Sequence, residues 1–316
     1  MKGFHPLVAR WFRERYGEPT GIQKTAWPAI AAGEHVLLSA PTGTGKTLAA
    51  FLSAVSRLAA GEWETGGLAV LYVSPLKALA TDIRENLTEP LLQLREKFSA
   101  EGLAFPDVRV GLRTGDTPRE DRRRMSRRPP EILVTTPESL AILLLSADAA
   151  ELFHGLRLVI LDEIHALLSE KRGTLLASCV ERLTLFSGEF QRVALSATVR
   201  PLETVARFVG GYRAVGDPLA PAYLARPVTI LSSTAPKAYE IEVRAPPPLS
   251  EADAATPAGQ GLAEGTNPVW PPLARELRAT IARNASTLVF TNSRRLAEKI
   301  AYLVNELPGF DVFSIS

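Results

Sequence analysis

The 316-residue chain has a single cysteine, Cys179, and that scarcity excludes an internal disulfide framework and suits a reducing compartment. Cys179 sits among Leu175, Leu176, Val180 and Leu183, the setting of a buried helix residue rather than a nucleophile. Histidine is nearly as sparse: His5, His35, His154 and His165 lie too far apart to read as a zinc site. No stretch reads as a signal peptide and no apolar run approaches the ~20 residues that cross a bilayer. A cytoplasmic protein without a membrane partner is therefore expected. Excess charge is missing too. Lys plus Arg number 36 against 34 acidic residues, so bulk charge announces no polyanion and any nucleic-acid site has to come from local clustering. What is present is a 46% apolar fraction, enough to build cores, in a length that suits two domains.

The most informative stretch is Ser39-Ala40-Pro41-Thr42-Gly43-Thr44-Gly45-Lys46-Thr47. It follows the apolar run Val36-Leu37-Leu38 and precedes a helical pattern beginning Leu48-Ala49-Ala50. Strand, glycine-bearing loop, Lys-Thr and helix form the layout of a phosphate-binding loop. Gly43 and Gly45 let the backbone curl so that successive N–H groups point at a polyphosphate. The helix start adds its positive dipole end, Lys46 reaches the β- and γ-phosphates, and the Thr47 hydroxyl can hold Mg²⁺. Ala40 stands where the common pattern has glycine.

Upstream, aromatic and basic residues at helical spacing run from Phe4 to Tyr16, and a second helix is expected from Lys24 toward Ala32. Gln23 lies between them. A Gln there can read an adenine edge with both its donor and its acceptor, or be a surface residue near a helix start. Downstream, the strand Leu68 to Val73 runs into Ser74-Pro75-Leu76-Lys77-Ala78-Leu79 and a long amphipathic helix to about Lys97. The strand Val108 to Leu112 leads into Arg113-Thr114-Gly115-Asp116-Thr117. A helix bearing Arg119, Arg122, Arg123, Arg124, Arg127 and Arg128 comes next, either a solvated face beside Glu120 and Asp121 or a face for phosphates. The strand Glu131 to Val134 ends in Thr135-Thr136-Pro137-Glu138-Ser139-Leu140, a helix cap or a phosphate contact. Leu158-Val159-Ile160-Leu161 is a continuous apolar strand ending in Asp162-Glu163-Ile164-His165. Acids at the carboxyl end of a buried parallel strand lie where ligands bind. Asp162 can hold Mg²⁺, and Glu163 can orient or deprotonate an attacking water. A helix from about Gly173 to Phe186, the strand Arg192 to Leu195 with Ser196-Ala197-Thr198, and a short helix to Phe208 complete the run.

This alternation predicts a doubly wound parallel α/β sheet over residues 1–226. From 227 to 316 a second domain is expected, opening with β segments at Val228 to Ser232 and Tyr239 to Arg244. A mobile, Pro- and Gly-rich insertion is expected over 245–272. A helix from Leu273 to Arg283, a strand Thr287 to Phe290, a helix with Leu296, Ile300, Leu303 and Leu307 on one face, and a last strand Asp311 to Ile315 follow. The visible strands are too few for a whole sheet, so this domain is expected to be incomplete.

In order and context these blocks resemble a superfamily 2 DExH-box helicase of the large helicase-related (Lhr) family, whose members often have Ala at the Ala40 place. The subgroup is suggested by Lys171-Arg172-Gly173, Arg200-Pro201-Leu202-Glu203 and Thr287-Leu288-Val289-Phe290-Thr291-Asn292-Ser293-Arg294-Arg295. The resemblance implies two RecA-like lobes, the second partial here, and ATP-driven translocation on single-stranded or partly duplex nucleic acid. DNA is favoured, with 3′-to-5′ polarity. It assigns adenine to Gln23, phosphates to Thr42, Gly43, Thr44, Gly45 and Lys46, and Mg²⁺ to Thr47 and Asp162. Glu163, with Lys46 and His165, would carry the chemistry, and Ser196 and Thr198 with His165 would couple it to the track. Pro75, Lys77, Thr114, Thr136 and Pro137 would line the strand's phosphates. The family's arginine fingers come from motifs beyond Ser316, so weak turnover by this stretch alone is expected. An RNA or RNA–DNA hybrid track, or a nucleotide-gated clamp without turnover, are the alternatives.

Overall fold

Strand residues at alternate positions feed two different cores, and that period of two sets the architecture. In the computed structural model, which describes residues 1, 3–217, 220–233, 240–245, 269–284 and 286–306, seven parallel strands form one sheet. They are β1 (His35–Ser39), β2 (Val70–Val73), β3 (Val110–Arg113), β4 (Ile132–Thr135), β5 (Leu158–Leu161), β6 (Gln191–Ser196) and β9 (Val228–Ser232). Val36, Val70, Tyr72, Ile132, Ile160 and Val193 enter one core. Leu37, Leu71, Leu133, Val159 and Ala194 enter the other. Both faces are thus covered, which is why these strands read as unbroken apolar runs.

The first face is covered by α1 (Pro6–Tyr16), α2 (Gly21–Ala31), α3 (Lys46–Ala59) and α4 (Lys77–Ala100). The second is covered by α6 (Pro137–Leu143), α7 (Ala149–Phe153), α8 (Lys171–Ser187) and α9 (Leu202–Gly210). Helix α5 (Arg119–Arg127) buries no residue. Cys179 is buried in α8, as its neighbours indicated.

The strand order is β3-β4-β2-β5-β6-β1-β9. From β1 the chain crosses toward the β3 edge, whereas from β6 it crosses toward the β9 edge. Neighbouring strands whose connections part in this way open a crevice at their carboxyl ends. All seven strands are parallel, so every strand-end motif reaches the same edge of the sheet.

Two expectations are corrected here. Val228–Ser232 does not open the second domain, because it pairs in register with β1 and completes the first sheet. The first compact unit accordingly runs from Met1 to Pro236 and the second from Lys237 to Ser316. An apolar pentapeptide shows that it will be a strand but not which sheet it joins. Ahead of it stands an unanticipated antiparallel hairpin, β7 (Tyr212–Asp217) with β8 (Ala220–Ala225). In the second unit, α10 (Trp270–Arg283) and α11 (Arg294–Glu306) pack through Ala274, Leu303 and Val304, with Trp270, Leu277, Ile281 and Ile300 around them. Residues 241–244 and 287–290 are not strands, since neither finds a ladder partner among the described residues. Tyr239, Leu307, the Asp311–Ile315 segment and most of the 245–272 insertion lie outside the described residues.

Candidate functional site

The loop after β1 owes its shape to two glycines in the left-handed region, Gly43 at φ 80° and Gly45 at φ 82°. Gly45 is doubly constrained: a Cβ there would come within 2.5 Å of the Gln23 amide nitrogen. Gln23 is buried, not the surface residue that its place near a helix start allowed. Its Oε1 accepts from the Thr20 N–H at 2.9 Å, closing a capping box on α2, and its Nε2 donates to the Gly45 carbonyl at 3.2 Å. The Thr20 hydroxyl donates to the Thr44 carbonyl, so the start of α2 braces the phosphate loop at two points. Lys46, buried at the start of α3, donates to the carbonyls of Ala40 at 2.6 Å and Pro41 at 3.0 Å. Thr42 is exposed, and the Thr44 hydroxyl donates to the Pro41 carbonyl.

Two strands away in the sheet, β5 ends in Asp162, which is buried. Its Oδ2 accepts from the Tyr72 hydroxyl and its Oδ1 from the Glu163 N–H. Burial pushes the Asp162 carboxyl above its ordinary value, with the Tyr72 hydrogen bond and the Lys46 charge opposing. Burial, and then the Asp162 charge, push the Tyr72 phenol well up. Tyr72 thus holds the Asp162 carboxylate from the neighbouring strand. Sequence reasoning passed over it, although a tyrosine inside an aliphatic buried strand signals a hydroxyl that needs a partner.

Glu163 sits at φ 44°, ψ 42°, and is the non-glycine residue with positive φ among those described. A residue held there is strained, and such strain gathers at functional sites. Its Oε2 is buried without a hydrogen bond among the described residues. His165 Nδ1 lies 3.2 Å from that oxygen but accepts from the Ala197 N–H, also at 3.2 Å. Ser196 is buried with its hydroxyl unpartnered among the described residues, whereas Thr198 is exposed.

The oxygen donors Thr47 and Asp162 fit Mg²⁺, which takes one or two protein ligands and draws the rest from phosphates and water. Among the described residues no cluster of three or more His, Cys, Asp or Glu could hold a metal ion on its own.

The expected track residues lie at the ends of β2, β4 and β3, the neighbouring half of the same edge. Pro75 and Pro137 are buried, as are Thr114 and Thr136. The Thr136 hydroxyl caps α6 by accepting from the Ser139 N–H. Lys77 is exposed and held by both Asp116 oxygens, at 2.8 and 2.9 Å, so a phosphate would have to displace that acid. Arg172, known from the sequence only as a family mark, reaches from the first turn of α8 to two of these loops. It donates to the Pro75 carbonyl and to Glu138 Oε1, each at 2.6 Å. Burial works to raise the Glu138 carboxyl, but the Arg172 hydrogen bond and other donors outweigh it and hold it below its ordinary value. Gly173 lets the chain pass: a Cβ there would meet the Leu167 carbonyl oxygen at 2.3 Å.

Among known proteins, a family profile described as DEAD/DEAH box helicase matches residues 20–207. The Lhr helicase/probable uracil glycosylase of Mycolicibacterium smegmatis is 42% identical over 307 residues, covering 96% of this chain and 19% of the relative. The ATP-dependent helicase Lhr-Core protein 2 of Thermococcus barophilus is 43% identical over 300 residues, 93% of this chain and 32% of the relative. The chain therefore spans about a fifth to a third of the length of these curated relatives. The structure of Mycobacterium smegmatis helicase Lhr bound to ssDNA and AMP-PNP superposes with a TM-score of 0.76 at 42% identity, covering 96% of this chain and 36% of that one. The DUF1998 helicase MrfA, at 0.68 and 20% identity, shares the fold over 97% of this chain and 41% of its own.

Proposed function

The chain belongs to the DEAD/DEAH box helicase family, and from that premise we propose that it supplies the ATP-binding lobe of an Lhr-type translocase moving 3′-to-5′ on single-stranded DNA. The second unit forms part of a second RecA-like lobe, and the protein works in the cytoplasm. One observation carries the reading: the nucleotide loops end β1, β5 and β6, the track loops end β2, β3 and β4, and both sets share one edge of one sheet.

In this reading the loop from Thr42 to Thr47 wraps the triphosphate, and Lys46 trades the Ala40 and Pro41 carbonyls for phosphate oxygens. Gln23 keeps a second amide N–H for adenine. Thr47 and Asp162 would hold Mg²⁺, which would supply charge neutralisation at the phosphates. Glu163, through its unsatisfied Oε2, orients and deprotonates the attacking water. His165 lies between the Glu163 carboxylate and the Ala197 backbone, so that loss of the γ-phosphate would be felt between Ser196 and Thr198. Pro75, Lys77, Thr114, Thr136 and Pro137 hold the strand by its backbone, which suits a motor that must move on any sequence.

Nucleotide binding and strand-stimulated turnover, measured separately on this chain, test the assignment. Lys46→Ala should abolish binding of a fluorescent ATP analogue. Glu163→Gln should keep that binding and lose about 10²–10⁴ in turnover. Unchanged turnover in Glu163→Gln would move the reading to a nucleotide-gated clamp, and stronger activation by oligouridine than by oligothymidine would move the track to RNA.

A further inference from the structure

Six arginines against two acids occupy Arg119 to Arg128, in a chain whose net charge is only +2. The charge surplus is therefore concentrated on α5 and its last cap. Some of these arginines are spoken for. Arg122 donates to the carbonyls of Thr117 and Gly115, Arg124 pairs with Asp121, and Arg128 pairs with Asp107. Arg119, Arg123 and Arg127 make no ion pair or side-chain hydrogen bond among the described residues, and all three are exposed. Their spacing is i, i+4, i+8, which places them in one stripe about 12 Å long. Beside that stripe is a cleft of about 350 Å³ lined by Arg123, Arg124, Arg127 and Arg128, with Glu120 as its one acid.

The helix is fixed where it matters. Met125 packs against Gly111 of the edge strand β3, where even a Cβ would come within 3.2 Å of its sulfur. The two Arg122 hydrogen bonds tie the first turn to the Thr114–Thr117 loop. Helix α5 therefore starts at the track and runs down the outside of the sheet, its other arginines turned to solvent. Its sequence, REDRRRMSR, has no aromatic residue on which an unstacked base could lie. Sites for single strands pair basic grooves with stacking side chains, whereas a duplex hides its bases and offers only phosphates.

Resting on the reading of the strand-end loops as the track, we infer that the Arg119–Arg123–Arg127 stripe is a duplex-binding surface that holds the backbone phosphates of the double-stranded arm flanking the translocated strand. Its length matches about three to four base pairs of duplex rise.

The test compares two probes on this chain with a non-hydrolysable ATP analogue present: oligothymidine, and a duplex carrying an oligothymidine tail. Affinity is followed against salt. Three neutralised phosphates contribute about three units of slope in log affinity against log salt, or about 40-fold between about 50 and 200 mM. The triple variant Arg119→Gln, Arg123→Gln, Arg127→Gln should lose that slope on the tailed duplex and bind oligothymidine as before, which also shows that it is folded. The matching Lys triple variant should keep the slope. An unchanged slope on the tailed duplex, as expected of a stripe that serves an acidic protein segment, would overturn the inference. An equal loss on oligothymidine would also overturn it, by placing the stripe on the single strand. If the unsubstituted chain binds neither probe, the inference and the proposed function fall together.

Discussion

At the level of single residues, the most consequential side chain is one that no motif contains. Tyr72 spends its hydroxyl on Asp162, one of the two proposed Mg²⁺ ligands, from inside the otherwise apolar strand β2. A buried donor that orients a ligating carboxylate is commonly worth 10–100-fold in metal affinity. Tyr72→Phe keeps the volume and removes the donor. Titrating Mg²⁺ in the ATPase assay should show a half-saturating concentration raised by about 10-fold or more, with nucleotide binding in the absence of metal little changed. Gln23 shows the opposite gap between residue and role. The sequence left it between adenine reader and surface residue, and the fold seats it under Gly45, where its amide holds the phosphate loop in shape.

Among elements, helix starts carry most of the function. Helix α3 starts at Lys46, α4 at Lys77 and α6 at Pro137, each in the loop that leaves a strand, and α8 at Lys171, a turn beyond the acid box after β5. The first turn of α8 does something the others do not, because Arg172 reaches across to the loop before α4 and to the first turn of α6. If this link couples the proposed nucleotide and track loops, Arg172→Gln should bind ATP normally but lose about 10-fold or more of its stimulation by DNA, from the ~1.5–3 kcal/mol typical of a hydrogen bond to a charged group. The ratio of stimulated to basal ATPase measures this, and an unchanged ratio would make Arg172 a purely structural tie. The exposed hairpin β7–β8 was missed because its strands carry mixed polar and small residues, without the period of two that marks a half-buried ribbon.

For the molecule as a whole, the first unit is held at its far end by charge as well as by apolar packing. Arg226 is buried where β8 gives way to β9. It donates to Glu189 at two points, to both Glu181 oxygens, and to the carbonyls of Gly210 and Tyr212. The carboxylates are half exposed and would rehydrate, so Arg226→Leu should cost about 2 kcal/mol rather than the 3–5 of a fully buried pair, as read from urea unfolding. The Arg226 hydrogen bonds hold the Glu189 carboxyl below its ordinary value. A depressed carboxyl stabilises the fold above the unfolded glutamate value of about 4.3 and loses that contribution as pH falls through the folded one. The gap between native and variant stability should thus narrow below about pH 4.

The run of strands and helices over residues 35–210 was legible because each buried strand had to be apolar on both faces and because Gly, Pro and polar residues punctuate the segments between. The phosphate loop and the acid box were legible because their chemistry demands those residue types in a row. Strand order was not, and it alone brings β5 beside β6 and β1 while gathering β2, β3 and β4 into a separate half of the edge. Nor was the allegiance of Val228–Ser232, which depended on a free edge at β1 that no local pattern records. Local chemistry is written along the chain, where neighbours in sequence are neighbours in space. Which loops face each other is settled by long-range pairing, and pairing depends on the whole set of strands competing for the same edges.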